Sequence, residues 1–237
     1  MAHRNLLSMP LHAITETYGE AGLRERFLLE VESFPAAGRE QLTAALELAG
    51  TLHADDRRVR EPYLNHLLRV AIRIMRYYGI RDVDVLVAAL LHDAVEDHPA
   101  ELSGVTGSHA QMTDAALAEL ARRFNPRVAA LVRSVTNPEF DPDVDRHEQY
   151  RAHVTESLER DPWARVIKVS DFTDNGVGVA HTSPDKALSS ATKYRPLVPA
   201  LRELVERHDT PLSAAAKEHI LDQLDLAEER FAAILDG

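Results

Sequence analysis

The apolar run from Val83 to Leu91 is the feature of this chain that most restricts its fold. It is too apolar for a surface segment, and it ends directly in the segment from His92 to Asp97, which reads HDAVED. Residues four apart on a continuous helix lie on the same side, which would place the histidine above the glutamate and the first aspartate above the second. Three carboxylates and an imidazole at such distances are costly to bury unless a cation compensates them. The segment therefore predicts a divalent metal ion, and the alternative is a solvated acidic helix end.

Charge and composition narrow the partners and the ligand types. The net charge of −11 argues against a nucleic-acid or an anionic-membrane partner, because both need a basic surface. With no cysteine, a metal must be held by oxygen and imidazole ligands, and disulfides and cysteine nucleophiles are excluded. The first 20 residues lack the apolar core of a signal peptide, and no apolar run reaches membrane-spanning length. We therefore expect a cytoplasmic protein, and the sequence leaves room for a homo-oligomer.

The spacing of apolar residues is helical almost throughout, which predicts an all-α fold. Asp82 is placed to cap the start of the helix that carries the acidic segment, and Gly79 is placed to end the helix before it. Glycine, serine and threonine make residues 99–112 look like a loop, and a second loop is predicted at 137–145. The pattern predicts helices at about 20–31, 40–53, 62–78, 82–97, 113–124, 126–135, 146–160, 163–172, 184–207 and 211–235. Residues 1–38 are predicted to form an N-terminal helical extension, and residues 39–237 one domain.

Three further segments join the acidic one. The stretch Glu61-Pro62-Tyr63-Leu64-Asn65-His66 places a histidine in the first turns of a helix. The stretch Val166-Ile167-Lys168-Val169-Ser170-Asp171 ends another apolar run in a carboxylate, and Asn175 follows four residues later. Arg57, Arg58 and Arg60 form a basic cluster in an otherwise acidic protein. Each segment alone has an ordinary structural explanation, and only their combination favours a metal site.

Together these segments resemble the HD-domain phosphohydrolases, and most closely the RelA/SpoT homologues of the stand-alone small alarmone hydrolase type. The resemblance rests on the stretch Ala88 to Asp97, on Glu61 to His66 and on Val166 to Asn175, and it covers roughly residues 42–201. It implies a single HD-domain helical bundle. It also implies an enzyme that removes the 3′-pyrophosphate of guanosine tetra- or pentaphosphate, (p)ppGpp, with one Mn²⁺ ion.

The resemblance also implies roles for individual residues. Glu96 and Asp97 would orient and deprotonate the attacking water, Asn175 would lie near the guanosine, and Arg58 or its neighbour Arg57 would contact phosphates. The metal ligands would be His66, His92, Asp93 and Asp171.

Some assignments stay open at this point. The family's Arg-Lys-Ser-Gly is replaced by Arg57-Arg58-Val59-Arg60, so the phosphate-contacting arginine is uncertain by one position. Lys168 could pair with a carboxylate or reach a substrate phosphate. Tyr194 either packs against the base or is a core tyrosine. His53 is assigned a structural role, and His98, like several other histidines, is assigned none.

Two rival functions are compatible with the same residues. One is an HD-domain phosphatase acting on another nucleotide, such as NADPH or a dNTP, since the same ion and water would serve it. The other is a non-catalytic module that binds an alarmone or neutralises a partner synthetase in the manner of an antitoxin. The presence of Glu96 and Asp97 beside the ligands favours catalysis, because a binding module does not need them.

Overall fold

The computed structural model describes residues 5–237, and within that range the regular elements are helices. No strand is formed by the described residues, which confirms the all-α prediction. The chain divides into two compact units, one ending at Val132 and the other comprising Arg133–Gly237. The predicted division at residue 38 stays a prediction. No helix in the described part of the chain is long and apolar enough to cross a membrane.

The first unit is built around two helices that are buried on nearly all sides. The helices of this unit are α1 (Leu11–Val31), α2 (Ala36–Leu52), α3 (Leu64–Arg76), α4 (Val83–Leu90), α5 (Ala94–Asp97), α6 (Pro99–Ser103), α7 (His109–Arg123) and α8 (Pro126–Val135), the last of which ends in the second unit. The two central helices are α3, with 12 of its 13 residues buried, and α4, whose apolar run is fully buried from Val85 to Leu91. α1 and α4 pack on α3, and α2 packs on α4.

Local signals fix the ends of the two central helices. Gly79 has a φ of 70°, in the left-handed region that glycine tolerates, and it follows α3 as predicted. The Asp82 side chain accepts hydrogen bonds from the backbone N–H groups of Asp84 and Val85, at 3.1 and 3.4 Å. Arg127 holds the same carboxylate at 2.7 Å. The predicted cap of α4 is therefore present.

Two predictions for the first unit were wrong. α1 begins at Leu11, and Gly19, with φ 61° and ψ −152°, kinks it where the prediction placed its start. The predicted loop at 99–112 contains α6 and the start of α7. Its small polar residues mark helix ends, because Gly104 ends α6 with a φ of 71° and Ser108 forms a reciprocal capping pair with Gln111.

The second unit surrounds one central helix. The helices of this unit are α9 (Arg146–Arg160), α10 (Pro162–Gly176), α11 (Pro184–Tyr194), α12 (Val198–Glu206) and α13 (Ala214–Leu235), with 3₁₀ turns at Val177–His181 and Arg195–Leu197. The central helix is α10, which has 12 of its 15 residues buried and on which α9, α11, α12 and α13 all pack. Asp161 caps α10 by accepting from Trp163 N and Ala164 N, at 3.0 and 3.2 Å, with Pro162 in the first turn.

The helix predicted at 184–207 was wrong in one respect, because it is interrupted. Its start is capped by Ser183 as the sequence indicates, but a 3₁₀ turn at Arg195–Leu197 separates α11 from α12. Pro196 has no N–H to donate to the preceding turn, so the α-helical ladder breaks there. The last helix begins at Ala214, capped by the Ser213 hydroxyl, rather than directly at Pro211.

The segment between α2 and α3 is fixed by a buried ion pair. The Glu61 carboxylate receives two hydrogen bonds from the Arg69 guanidinium, at 2.6 and 2.7 Å, and one from the Asn65 amide at 3.0 Å. Arg69 is only 2% exposed. Because a guanidinium in that position is stable only when a carboxylate compensates it, the pair holds the start of α3 against the preceding segment.

We expect the change Glu61→Ala to destabilise the protein by about 3–5 kcal/mol, because it leaves the buried Arg69 charge without its carboxylate. Urea denaturation followed by circular dichroism measures the loss. The double variant Glu61→Ala with Arg69→Met should recover most of the stability, since it removes both charges. Equal losses in the single and double variants would show that the pair is not what stabilises this segment.

Candidate metal centre

The segment from His92 to Asp97 does not continue the helix that precedes it. α4 ends at Leu90, and a tight turn containing His92 and Asp93 leads into the short helix α5. The expectation that one helix face carries the whole segment was therefore wrong. Leu91 N bonds to both Val87 O and Ala88 O at 3.2 Å, which tightens the last turn of α4. Because the helix breaks here, the side chains of His92 and Asp93 approach each other, with His92 Nε2 close to Asp93 Oδ2.

Two histidines and one carboxylate meet at this turn. The Nε2 atom of His92 lies 3.1 Å from Asp93 Oδ2, and the Nε2 atom of His66, from α3, lies 3.8 Å from the same oxygen. The two imidazole rings are 5.3 Å apart between centroids, and the histidines are 1% and 2% exposed. Three of the four predicted metal ligands are thus brought together within the first unit.

The hydrogen bonds around these three side chains suit a metal ion. His92 Nδ1 lies 2.9 Å from the carbonyl oxygen of Ala89, which can only accept, so Nδ1 carries a proton and Nε2 is the ring nitrogen that faces Asp93. The Tyr63 hydroxyl donates to Asp93 Oδ2 at 2.6 Å and orients that carboxylate. Such outer contacts are typical of residues that hold a metal. Two imidazoles and a carboxylate without sulfur fit Mn²⁺ or a similar ion.

Tyr63 stays protonated in this position. Burial raises the pKa of its phenol well above the usual range, and the negative charge of Asp93 raises the pKa further. The nearby guanidinium of Arg58 acts weakly in the opposite direction. The phenol is therefore a permanent hydrogen-bond donor to Asp93 near neutral pH.

Glu96 and Asp97 lie on α5, in the turn after Asp93. Glu96 is half-buried and Asp97 is exposed as a residue. Loss of hydration around the Asp97 carboxylate, followed by repulsion from Asp93 and Glu96, raises its pKa to about 7. A carboxylate with such a pKa exchanges protons at neutral pH, which suits a general base or acid.

The two candidate phosphate contacts differ in their surroundings. Arg57 is exposed and forms an isolated antiparallel bridge with Pro62. Arg58 is half-buried, and its backbone N–H donates to Glu61 O at 2.8 Å. The positive charge of Arg58 acts to lower the pKa of Tyr63, which contacts Asp93, so Arg58 is the arginine of the pair whose charge reaches the histidine-carboxylate cluster.

The fourth predicted ligand, Asp171, lies on α10 in the second unit. It is 5% exposed. Its Oδ2 receives a hydrogen bond from Lys168 Nζ at 2.9 Å, and its Oδ1 receives one from Asn175 Nδ2 at 2.6 Å. Three predicted site residues thus meet on one face of α10. Burial lowers the pKa of Lys168, but the negative charge of Asp171 outweighs it and leaves that pKa well above the ordinary value.

Tyr194 belongs to an aromatic cluster of the second unit. Its ring lies 5.9 Å from Phe172 and 6.3 Å from Tyr150, edge-on to both. Lys193 Nζ lies 4.1 Å from the Tyr150 ring centroid and 4.9 Å from that of Tyr194. These contacts account for its packing, and a contact with a nucleobase stays a prediction.

A second cluster of metal-binding residue types was missed by the sequence analysis. His53 Nδ1 and His98 Nε2 lie 2.7 and 2.6 Å from the same oxygen, Asp56 Oδ2. Burial lowers the pKa of His53, which keeps its imidazole neutral near pH 7. Hydrogen bonding to His98, and then to His53, lowers the pKa of Asp56. The local signal was the His53-x-x-Asp56 spacing, whereas His98 is remote in sequence.

Comparisons with known proteins agree with this geometry. The family model described as the HD domain matches residues 45–160. The guanosine-3′,5′-bis(diphosphate) 3′-pyrophosphohydrolase MESH1 of Drosophila melanogaster is 31% identical over 60% of this chain and 70% of its own length. The chain belongs to the MESH1 and SpoT-like family of HD-domain hydrolases.

Two more relatives describe the extent of the likeness. Human MESH1 is 34% identical over 55% of this chain and 65% of its own length. A solved structure of a metazoan orthologue of SpoT that hydrolyses ppGpp is 24% identical, with a TM-score of 0.57 over 81% of this chain and 96% of that one. This structural likeness supports the fold of the MESH1 and SpoT-like family, and an HD-domain hydrolase implies a divalent metal ion.

We expect Asp97 in the metal-free protein to titrate with a pKa of about 7, measured by ¹³C NMR of its carboxyl carbon. The change Asp93→Asn should lower this pKa, because it removes a negative charge, and Glu40→Gln at the exposed start of α2 should leave it unchanged. Added Mn²⁺ should also lower it. A pKa near 4 in the unmodified metal-free protein would contradict the prediction.

Proposed function

We propose that this chain hydrolyses the 3′-pyrophosphate of (p)ppGpp, giving GDP or GTP and pyrophosphate, which is the type of activity for which its MESH1 relatives are named. The single observation that supports this most is the convergence of His66 and His92 on the Asp93 carboxylate. Burying an anion and two imidazoles together is favourable when a divalent cation joins them.

The proposed cofactor is one Mn²⁺ ion held by His66, His92, Asp93 and Asp171. In this proposal Asp171 is the fourth ligand, and Asn175 orients its carboxylate. Bound there, the ion would lower the pKa of water and neutralise charge on the reacting phosphoryl group. The Lys168 ammonium group pairs with the same Asp171 carboxylate. In this proposal the ammonium group would also lie near the anionic substrate.

Proton transfer is assigned to the two acids of α5. Glu96 is proposed to accept a proton from the attacking water. Asp97, with its pKa of about 7, is proposed to orient that water and pass the proton on. The reaction breaks the bond between the ribose 3′-oxygen and phosphorus, and the released 3′-oxygen receives a proton.

Substrate binding is assigned to five residues. Arg58, with Arg57 beside it, and Lys168 are proposed to contact phosphates. Asn175 is proposed to lie near the guanosine, and Tyr194 to pack against the base. We also propose a cytoplasmic location and allow for a homo-oligomer, with neither nucleic acid nor membrane as a partner.

The proposal is tested by measuring pyrophosphate release from ppGpp with Mn²⁺ and with EDTA. We expect release that EDTA abolishes and that the Asp93→Ala variant lacks. NADPH and dNTPs assayed in parallel address the rival phosphatase function, which would be favoured if they were cleaved and ppGpp were not. If Asp93→Ala kept the biological effect of the protein in cells, a non-catalytic binding module would be favoured.

We expect Glu96→Gln to lower kcat by about 10²–10⁴-fold while leaving Mn²⁺ affinity nearly unchanged, because it removes a base without removing a ligand. Steady-state kinetics and isothermal titration calorimetry measure the two effects. Glu47→Gln, on the exposed face of α2, is the matched control and should behave like the unmodified protein. Full activity of Glu96→Gln would show that the base is elsewhere.

The one-position uncertainty between the arginines can be resolved kinetically. We expect Arg58→Ala to raise KM for ppGpp at least about tenfold, since a hydrogen bond to a charged group contributes about 1.5–3 kcal/mol. Arg57→Ala should have a smaller effect because Arg57 is exposed, and Arg60→Ala serves as a control for the loss of one positive charge. A larger effect for Arg57→Ala would reverse the assignment.

A further inference from the structure

A second group of histidine and carboxylate side chains lies outside the proposed hydrolytic centre. It consists of His53 at the end of α2, Asp56 in the following segment and His98 between α5 and α6. The geometry points to a second divalent-cation site at these three residues, of the kind that Zn²⁺ occupies with two imidazoles and one carboxylate. This inference does not depend on the proposed hydrolysis, because it concerns binding alone.

The positions of the donor atoms carry the inference. One ligand atom from each residue lies within 4.8 Å of the others, and both histidine nitrogens approach the single oxygen Asp56 Oδ2. In a tetrahedral zinc site with bonds of about 2.0–2.2 Å, ligand atoms are separated by about 3.3 Å. The contacts of 2.7 and 2.6 Å would therefore lengthen by about 0.6–0.7 Å. The Asp56 side chain is 33% exposed and has room to rotate that far.

The surroundings hold the histidines in place for this role. The His53 side chain is fully buried, with its ring stacked on Tyr63 at 4.9 Å and packed edge-on against His98 at 4.7 Å. His98 Nδ1 lies 3.9 Å from the exposed carboxylate of Glu101, which can draw the ring proton to Nδ1 and leave Nε2 for the ion. Two neutral imidazoles and one carboxylate then offer a net charge of −1 to a divalent cation.

The backbone fixes the spacing of the three residues. Asp56 N donates to His53 O at 3.2 Å, and His98 N donates to Ala94 O at 3.1 Å. His98 also accepts from Leu102 N at 3.0 Å, at the start of α6. These backbone hydrogen bonds hold the three candidate metal ligands in position. Asp56 and His98 are partly exposed, which leaves one side of the site open for a water ligand and for exchange of the ion.

Tyr63 connects the second site to the first. Its ring stacks on His53, lies 5.7 Å from His66, and its hydroxyl donates to Asp93. A cation bound at the second site would hold His53 and, through the stacked rings, Tyr63. Occupancy of the second site would then act on the orientation of the Asp93 carboxylate.

The test measures Zn²⁺ bound per chain, by equilibrium dialysis and elemental analysis, in a background that disables the first centre (His66→Gln with Asp93→Asn). We expect this background to bind one ion per chain, and the further change His98→Gln to weaken that binding at least about tenfold. No ion in the background, or equal binding after His98→Gln, would overturn the inference. Failure of hydrolysis by the unmodified protein would not affect these readings.

A second comparison covers the case in which the background variant does not fold. In the otherwise unmodified chain, Asp56→Asn keeps the size of the side chain but removes its charge, and it should lose one bound ion per chain relative to the unmodified protein. With Co²⁺ as the probe, the same variant should lose part of the visible absorption. Unchanged ion count and absorption in Asp56→Asn would overturn the second site.

Discussion

The ion pair between Glu61 and Arg69 is the constraint on which the arrangement of the first unit depends. Arg69 reaches Thr15 Oγ1 on α1 at 3.3 Å as well as the Glu61 carboxylate, so one buried guanidinium joins α1, α3 and the segment before α3. That segment carries Tyr63, which lies between two groups of histidines. The buried Arg69–Glu61 ion pair thus fixes the position of the Tyr63 ring, and the Tyr63 hydroxyl orients the Asp93 carboxylate of the candidate metal centre.

Local sequence signals predicted the helix ends best. The caps at Asp82, Asp161 and Ser183 were predictable because each depends on a side chain bonding to backbone groups two or three residues away. The break at His92 was not predictable in this way, since it contains neither glycine nor proline. Its neighbours favour a helix, and the tertiary packing of His92, which is buried, overrides that preference. The loop prediction for residues 99–112 was wrong for the opposite reason, because residues typical of turns end one helix and cap the start of the next.

The candidate site also has features that the sequence predicts and contacts that only the tertiary structure shows. The order of His66, His92, Asp93 and Asp171 in the sequence, together with the family resemblance, predicts a ligand set, and three of its four members meet in the first unit. Their binding of a metal ion stays a prediction. Contacts between residues distant in sequence were beyond such reasoning. The pairing of His98 with Asp56 joins two segments only through the packing of the unit. Without family context, nothing in the sequence distinguishes these residues from solvated side chains.

The pairing of Lys168 with Asp171 has a consequence for the stability of α10. A carboxylate that is only 5% exposed is costly to bury unless a positive charge compensates it. The Lys168 ammonium group supplies that charge from the same helix, at 2.9 Å. The burial of Asp171 is therefore compensated within α10 itself, and the helix does not depend on a bound cation for its counter-charge.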